Sequence, residues 1–336
     1  MSENSSLLAD MATRLFTDLG PGGGDDFAAW PAIEDNGFNG LLLAEDAGGF
    51  GGDWADFLLI ARLLGRHAVA LPVGESILAA HLAATSGLDA PAGALSLAPR
   101  LTGTLTAGRF TGSLKAVPWG RHVSAVVGQL DDMLLLLHSH DATISHGENP
   151  AGEPRDSLDF QDAPVQAATL DPSTLGPHGL GALLRAGQIA GALNAALELA
   201  VAHANDRVQF GRPIGKFQAV QHALAQAAGH AAALDCAAQA AFWRLGQGEA
   251  MLETAAAKLR ANMAADIGAA IAHQVHGAIG FTREHGLHHF TRRLIAWRSE
   301  FGHDAFWAAR LGAMACQWGA DGFWPTLTGR SDPAPT

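Results

Sequence analysis

Asp206-Arg207-Val208-Gln209-Phe210-Gly211-Arg212-Pro213-Ile214-Gly215-Lys216-Phe217-Gln218-Ala219-Val220-Gln221 interrupts a long Ala-, Leu- and Gln-rich region, and its reading decides the fold. Helical periodicity ends near residue 205, Gly211 and Pro213 force a turn, and the period resumes near Phe217. The stretch is therefore a joint between two helices. Outward from it, the apolar period predicts helices over residues 180–205, 217–246, 249–278 and 286–318. Four long helices with short connections make a bundle, and Ala-rich seams let them approach closely. On spacing alone the joint could be no more than a solvated loop whose arginines pair with nearby acids.

Toward the N-terminus the character changes. Between residues 87 and 171 Thr, Val, Pro and Gly rise, and short runs alternate over two residues, as in Leu95-Ser96-Leu97, Arg109-Phe110-Thr111 and 123–127. These are strand signals, with Asp131-Asp132 as a hairpin tip. Earlier still, helical patterns cover residues 7–19, 27–35, 54–68 and 74–86, broken by Pro21, a Gly-rich turn at 48–52 and Leu71-Pro72-Val73. The predicted fold is mainly α with a small β domain. Its parts are an N-terminal helical domain (1–86), a middle β-barrel-like domain (87–171), a C-terminal four-helix bundle (172–320) and a flexible tail (321–336).

Composition excludes several classes. With 16% charged and 48% hydrophobic residues the chain is neither a disordered polyelectrolyte nor a disulfide-stapled miniature. A net charge of −12 argues against a nucleic-acid partner, because phosphate neutralisation needs a broad cationic face. Only Lys115, Lys216 and Lys258 are lysines, so nearly all positive charge is arginine, whose planar fork suits phosphate and carboxylate. Cys236 and Cys316 lie in helical segments without metal spacing and are expected to be buried free thiols. The polar, acidic start of the chain carries no secretory pattern, and no run reaches about 18 apolar residues, so no membrane partner and a cytoplasmic location are expected.

A second informative stretch, Gln274-Val275-His276-Gly277-Ala278-Ile279-Gly280-Phe281-Thr282, closes the third long helix, where glycines let backbone N–H groups approach an anion. Together the two stretches resemble the acyl-CoA dehydrogenase family, whose signature has an Arg, an aromatic-Gly pair, a Pro and a Gln in this order and spacing. Ala44-Glu45-Asp46-Ala47-Gly48-Gly49-Phe50-Gly51 resembles the family's N-terminal acidic turn, and the likeness covers most of residues 30–310. The resemblance implies the same three-part fold, with FAD between β-domain and bundle and its adenosine and pyrophosphate reached by a neighbouring subunit. Carried over by position, Arg207, Phe210 and Gln218 would contact one FAD, and Gln274, His276, Gly277 and Ala278 would line the dinucleotide end of a FAD.

The implied chemistry is α,β-dehydrogenation of an acyl-CoA: a carboxylate takes the α-proton while a β-hydride moves to the flavin. In most relatives the base is a Glu in a Glu-Gly-Thr setting; in others it sits early in the first bundle helix. Here the early position is Leu184, beside Arg185, and alignment on Gly302 puts Phe301, not Glu300, on the late one. Glu300 could reach the flavin through a one-residue offset, as catalytic base with Arg185 nearby. It could instead be a surface carboxylate paired with Arg298 or Arg293, or the chain could be the non-catalytic partner of a heteromeric dehydrogenase. Arg185 matches an Arg that lies near the base in relatives, or is ion-paired to Glu198 or Asp206.

Where relatives carry Thr-Glu-Pro and a Gly-Ser-Asp turn, this chain has Ser96-Leu97-Ala98-Pro99 and no Gly-Ser-Asp. Its compactness resembles subunits of heterotetrameric acyl-CoA dehydrogenases acting on steroid side chains. The implied partners are an acyl-CoA, a homotetramer or two-plus-two heterotetramer, and electron-transfer flavoprotein or a similar acceptor. His273/His276 and His285/His288/His289 have helical metal spacing, but no Cys or clustered carboxylates complete a set, and no metal is expected.

Overall fold

A computed structural model describes residues 3–22 and 24–331. Four helices open the chain: α1 Glu3–Leu19, α2 Trp30–Asp35, α3 Trp54–Arg66 and α4 Val73–Thr85. Asp53 starts α3 with a reciprocal capping box, accepting from the Asp56 N–H while the Asp56 carboxylate accepts from the Asp53 N–H. Eight strands follow: β1 Leu95–Leu97, β2 Arg100–Thr106, β3 Arg109–Pro118, β4 Ala125–Leu130, β5 Met133–His138, β6 Ala142–Ser145, β7 Arg155–Pro164 and β8 Gln166–Thr169. They form two four-stranded sheets, ordered β1-β4-β5-β8 and β2-β3-β7-β6. Asp131-Asp132 is the expected two-residue tip between Leu130 and Met133, with Asp131 at φ +51°. Ser76 of α4 exchanges hydrogen bonds with both backbone groups of Leu95, fastening the first domain to β1.

The bundle consists of α5 Pro177–Asp206, α6 Gln218–Leu245, α7 Met251–His276 and α8 Leu287–Ser299, followed by α9 Asp304–Ser331. The expected fourth helix over 286–318 is thus two helices. Phe301 at φ +52° and Gly302 at φ +104° break it, and the Trp307 indole sits where a Cβ on Gly302 would stand. Residues 321–331, expected to be a tail, continue α9 past a kink at Gly319, with Arg330 paired to Glu253 and Glu249; the rest of that tail lies outside the described residues. Cys236 and Cys316 are free but exposed, not buried. In an Ala-rich helix the inward stripe is carried by alanines, here Ala227, Ala231 and Ala238 of α6, and composition does not reveal that Cys236 falls beside it.

The α5 helix is the axis of the molecule and is buried over most of its length. It crosses α3 backbone to backbone: a Cβ on Gly191 would overlap the Arg62 carbonyl, and one on Gly65 the Gln188 carbonyl. Gly191→Ala is therefore expected to destabilise the chain by about 1 to 3 kcal/mol through forced separation of the helices. Urea denaturation checks this; an unchanged midpoint would mean that α3 yields without cost.

Candidate functional site

Where β-domain and bundle meet, six charged side chains alternate in a line. Glu75 comes from α4, Arg185 from α5, Glu300 from the α8–α9 turn, Arg155 and Glu153 from the start of β7 and the loop before it, and Arg293 from α8. Arg185 reaches Glu75 at 2.7 Å and Glu300 at 2.7 Å; Arg155 reaches Glu300 at 2.8 Å and Glu153 at 2.9 Å; Arg293 reaches Glu153 at 2.8 Å. Asn149, whose Oδ1 accepts from the N–H groups of Ala151 and Glu153, donates to Glu300 at 3.0 Å. Three cations and three anions balance, and all are buried except Glu300, whose side chain is 12% exposed.

Glu300 stands at the wall of a cavity of about 560 Å³. Pro99, Arg100 and Arg155 line it from the β-domain, His178 and Gly302 from the bundle. Burial pushes the Glu300 carboxyl pKa up, but Arg155, Arg185 and Asn149 overcome this and hold it at about 2. Burial pulls His178 down to about 4, so its ring is neutral near pH 7. A carboxylate so stabilised is a weak proton acceptor, because the ideal catalytic pKa lies near the working pH. The expected surface pairings are not observed: Arg298 binds Asp266 and Asp304, Arg293 binds Glu153, and Glu198 binds Arg66 rather than Arg185. At the two positions that the family resemblance marks for a base, Leu184 is buried against Gly74, and the buried Phe301 ring packs on Gly181 below the Arg185 guanidinium, 5.4 Å from the ring centre.

The expected cofactor residues gather elsewhere, at the far end of the bundle. Arg207 leads into a ribbon of β9 Val208–Gln209 and β10 Arg212–Pro213, with Phe210 92% exposed at its tip. Arg212 stacks on Phe217 at 4.4 Å, and Gln218 is exposed as the first residue of α6. The Gln274–Ala278 turn lies beside this ribbon: His203, one turn before Arg207, stacks on His276 with ring centres 4.7 Å apart. Arg207 has no ion-pair partner among the described residues, Gln274 is exposed, and a Cβ on Gly277 would meet open space. His276 Nδ1 bonds the Ala272 carbonyl at 2.7 Å, while its buried Nε2 has no partner.

These features suit the pyrophosphate half of FAD: arginine, amides and open backbone at a helix end can meet an anion. In the β-domain the Ser96 hydroxyl is fully buried and donates to the Pro118 carbonyl at 2.6 Å, so it is not free to bond a flavin. Arg185 and Arg207 stand roughly 33 Å apart along α5 at 1.5 Å per residue. Cleft and ribbon therefore lie toward opposite ends of that helix. No group of three or more His, Cys, Asp or Glu side chains able to hold a metal occurs among the described residues. Sequence reasoning missed Glu75, Asn149, Glu153, Arg155 and Lys258. The lone acid in apolar α4 and the lone Lys in the Ala-rich first half of α7 were the available signals, because a charge on a buried face needs a partner.

Residues 179–311 match the family model described as acyl-CoA dehydrogenase, C-terminal domain. Acyl-CoA dehydrogenase IpdE2 of Mycobacterium tuberculosis is 30% identical over 281 residues, spanning 80% of this chain and 81% of that protein. Among solved structures, the Tcur3481-Tcur3483 steroid ACAD G363A variant superposes with a TM-score of 0.85 at 20% identity, covering 95% of this chain and 99% of that one. The ChsE4-ChsE5 complex from Mycobacterium tuberculosis gives 0.81 at 20% identity, covering 94% and 98%.

Proposed function

The chain belongs to the acyl-CoA dehydrogenase family, and from that premise we propose that it is one subunit of a heteromeric FAD-dependent enzyme that desaturates an acyl-CoA thioester, completing the FAD site of a partner chain that supplies the base. The observation that carries this reading is the capture of Glu300 between Arg155 and Arg185, with Phe301 and Leu184 at the two positions where a base is expected. FAD, when bound, supplies the hydride acceptor. Arg207 supplies charge-assisted hydrogen bonds to its pyrophosphate, and the amides of Gln218 and Gln274 with the N–H groups of Gly277 and Ala278 complete them. Phe210 offers an exposed ring for apolar contact with the cofactor or the neighbouring subunit. Because these groups stand far from this chain's own cleft, they serve a flavin seated in the neighbour. Arg185 then acts on Glu300 and Glu75, not on substrate.

The steroid ACAD among the structural relatives supports a bulky acyl group, and a two-plus-two tetramer with electron-transfer flavoprotein or a similar acceptor completes the reading. Flavin counting tests it. The chain alone is expected to purify colourless and to acquire flavin, at less than one per chain, only with its partner; a yellow homo-oligomer bleached by acyl-CoA would overturn it. Arg207→Ala should weaken FAD retention in the assembly by about 1.5 to 3 kcal/mol while leaving helical content intact. Unchanged flavin content after dialysis would remove Arg207 from the site. A second reading, Glu300 as base, is favoured by its place at the cavity wall.

A further inference from the structure

Behind the turn that carries Glu300 and Phe301, α7 presents the fully buried Lys258. Its Nζ donates to the carbonyls of Trp297 (3.1 Å), Arg298 (3.0 Å) and Gly302 (3.3 Å), and to Asn262 Oδ1. Asn262, one helical turn on, donates from Nδ2 to the same Gly302 carbonyl at 3.3 Å, and the Trp307 indole donates to the Phe301 carbonyl at 3.0 Å. The last carbonyls of a helix have no partner within it, and a cation at that end is favoured by the helix dipole. Phe301 also holds a left-handed conformation that a non-glycine residue adopts only under constraint. Groups outside the turn must therefore hold it in place.

We infer that Lys258 is a positioning residue for the cleft: its ammonium ties the end of α8 to Gly302 and so fixes the turn that presents Glu300, Phe301 and Gly302 to the cavity. A role in turnover rests on the second reading, with Glu300 as base in that cleft; the tie itself does not. Four oxygens compete for three N–H bonds, so loss of a proton leaves two donors and loosens the turn. The charged groups facing the ammonium are Glu300 on the turn, Arg185 on α5, Asp304 on α9 and Arg298 on α8. Burial pulls the Lys258 pKa down to about 7, with Glu300 opposing this and Arg185 reinforcing it.

The chain has three lysines, so ¹³C-lysine labelling of the full protein gives three ε-methylene signals. One is expected to titrate near pH 7, to vanish in Lys258→Met, and to move down by roughly one unit in Glu300→Gln as an attracting charge is lost. A Lys258 signal that titrates in the ordinary lysine range, or ignores Glu300→Gln, overturns the inference. In a flavin-loaded assembly whose turnover depends on Glu300, the second reading above, Lys258→Met is expected to slow flavin reduction by roughly tenfold or more with KM for acyl-CoA within about twofold. An unchanged rate in an assembly that Glu300→Gln inactivates also overturns it. If Lys258→Met does not fold, the Glu300→Gln shift in the intact lysine decides. If the unmodified assembly never reduces flavin, the acyl-CoA reading falls and the titration still decides the tie.

Discussion

Replacing Arg185 with methionine is expected to cost about 3 to 5 kcal/mol of folding stability, because Glu75 and Glu300 would remain buried without their shared cation. Arg185 is 1% exposed and spends its guanidinium on Glu75, Glu300 and Gln188, so water cannot replace it. The loss should shrink on acidification, since a protonated carboxyl needs no cation. Guanidinium unfolding at pH 7 and pH 5 reads both effects. Equal midpoints for Arg185→Met and the unmodified chain would show that the line of charges does not depend on it.

Glu300→Gln is expected to show the second large effect. The folded pKa of about 2 lies below the ordinary Glu value near 4.3, so the group stabilises the fold by about 3 kcal/mol above pH 4.3. That contribution disappears as pH falls through 4 toward 2. Glu300→Gln should therefore be less stable by a similar amount at neutral pH, and the two chains should converge in acid. A constant difference across this range would mean that the carboxylate titrates alike in folded and unfolded chains. In the assembled enzyme the same variant separates the two readings. Retained flavin reduction places the base on the partner, whereas a loss of about 10² to 10⁴-fold with FAD still bound identifies Glu300 as the base.

What the sequence reveals about these sites depends on how locally each is built. Arg207, Phe210 and Gln218 sit within one joint, and Gln274 to Ala278 within one turn, so their spacing is visible in the chain itself. The ion-pair line is assembled from α4, α5, α8, the start of β7 with the loop before it, and the α8–α9 turn, and Arg155 meets Glu300 across 145 positions. No periodicity records such a meeting. Helix positions were legible for the same local reason, whereas the break at Phe301 was not, because a left-handed phenylalanine is imposed by what packs on it. The inward faces of α6 and α7 were obscured by alanine, which neither requires burial nor resists it.

The length of α5 bears on how such a chain can change over generations. If, as proposed, the cleft and the ribbon at its opposite ends serve different active centres, a substitution in the cleft would be felt at home and one in the ribbon next door. On that reading a duplicated gene that lost its base would keep its employment, because the sister's flavin would still lean on its ribbon arginine. Selection can thus let one end decay while guarding the other, and two copies drift into mutual dependence. Deleting either gene would then remove the whole activity, although only one of them would encode a reacting carboxylate.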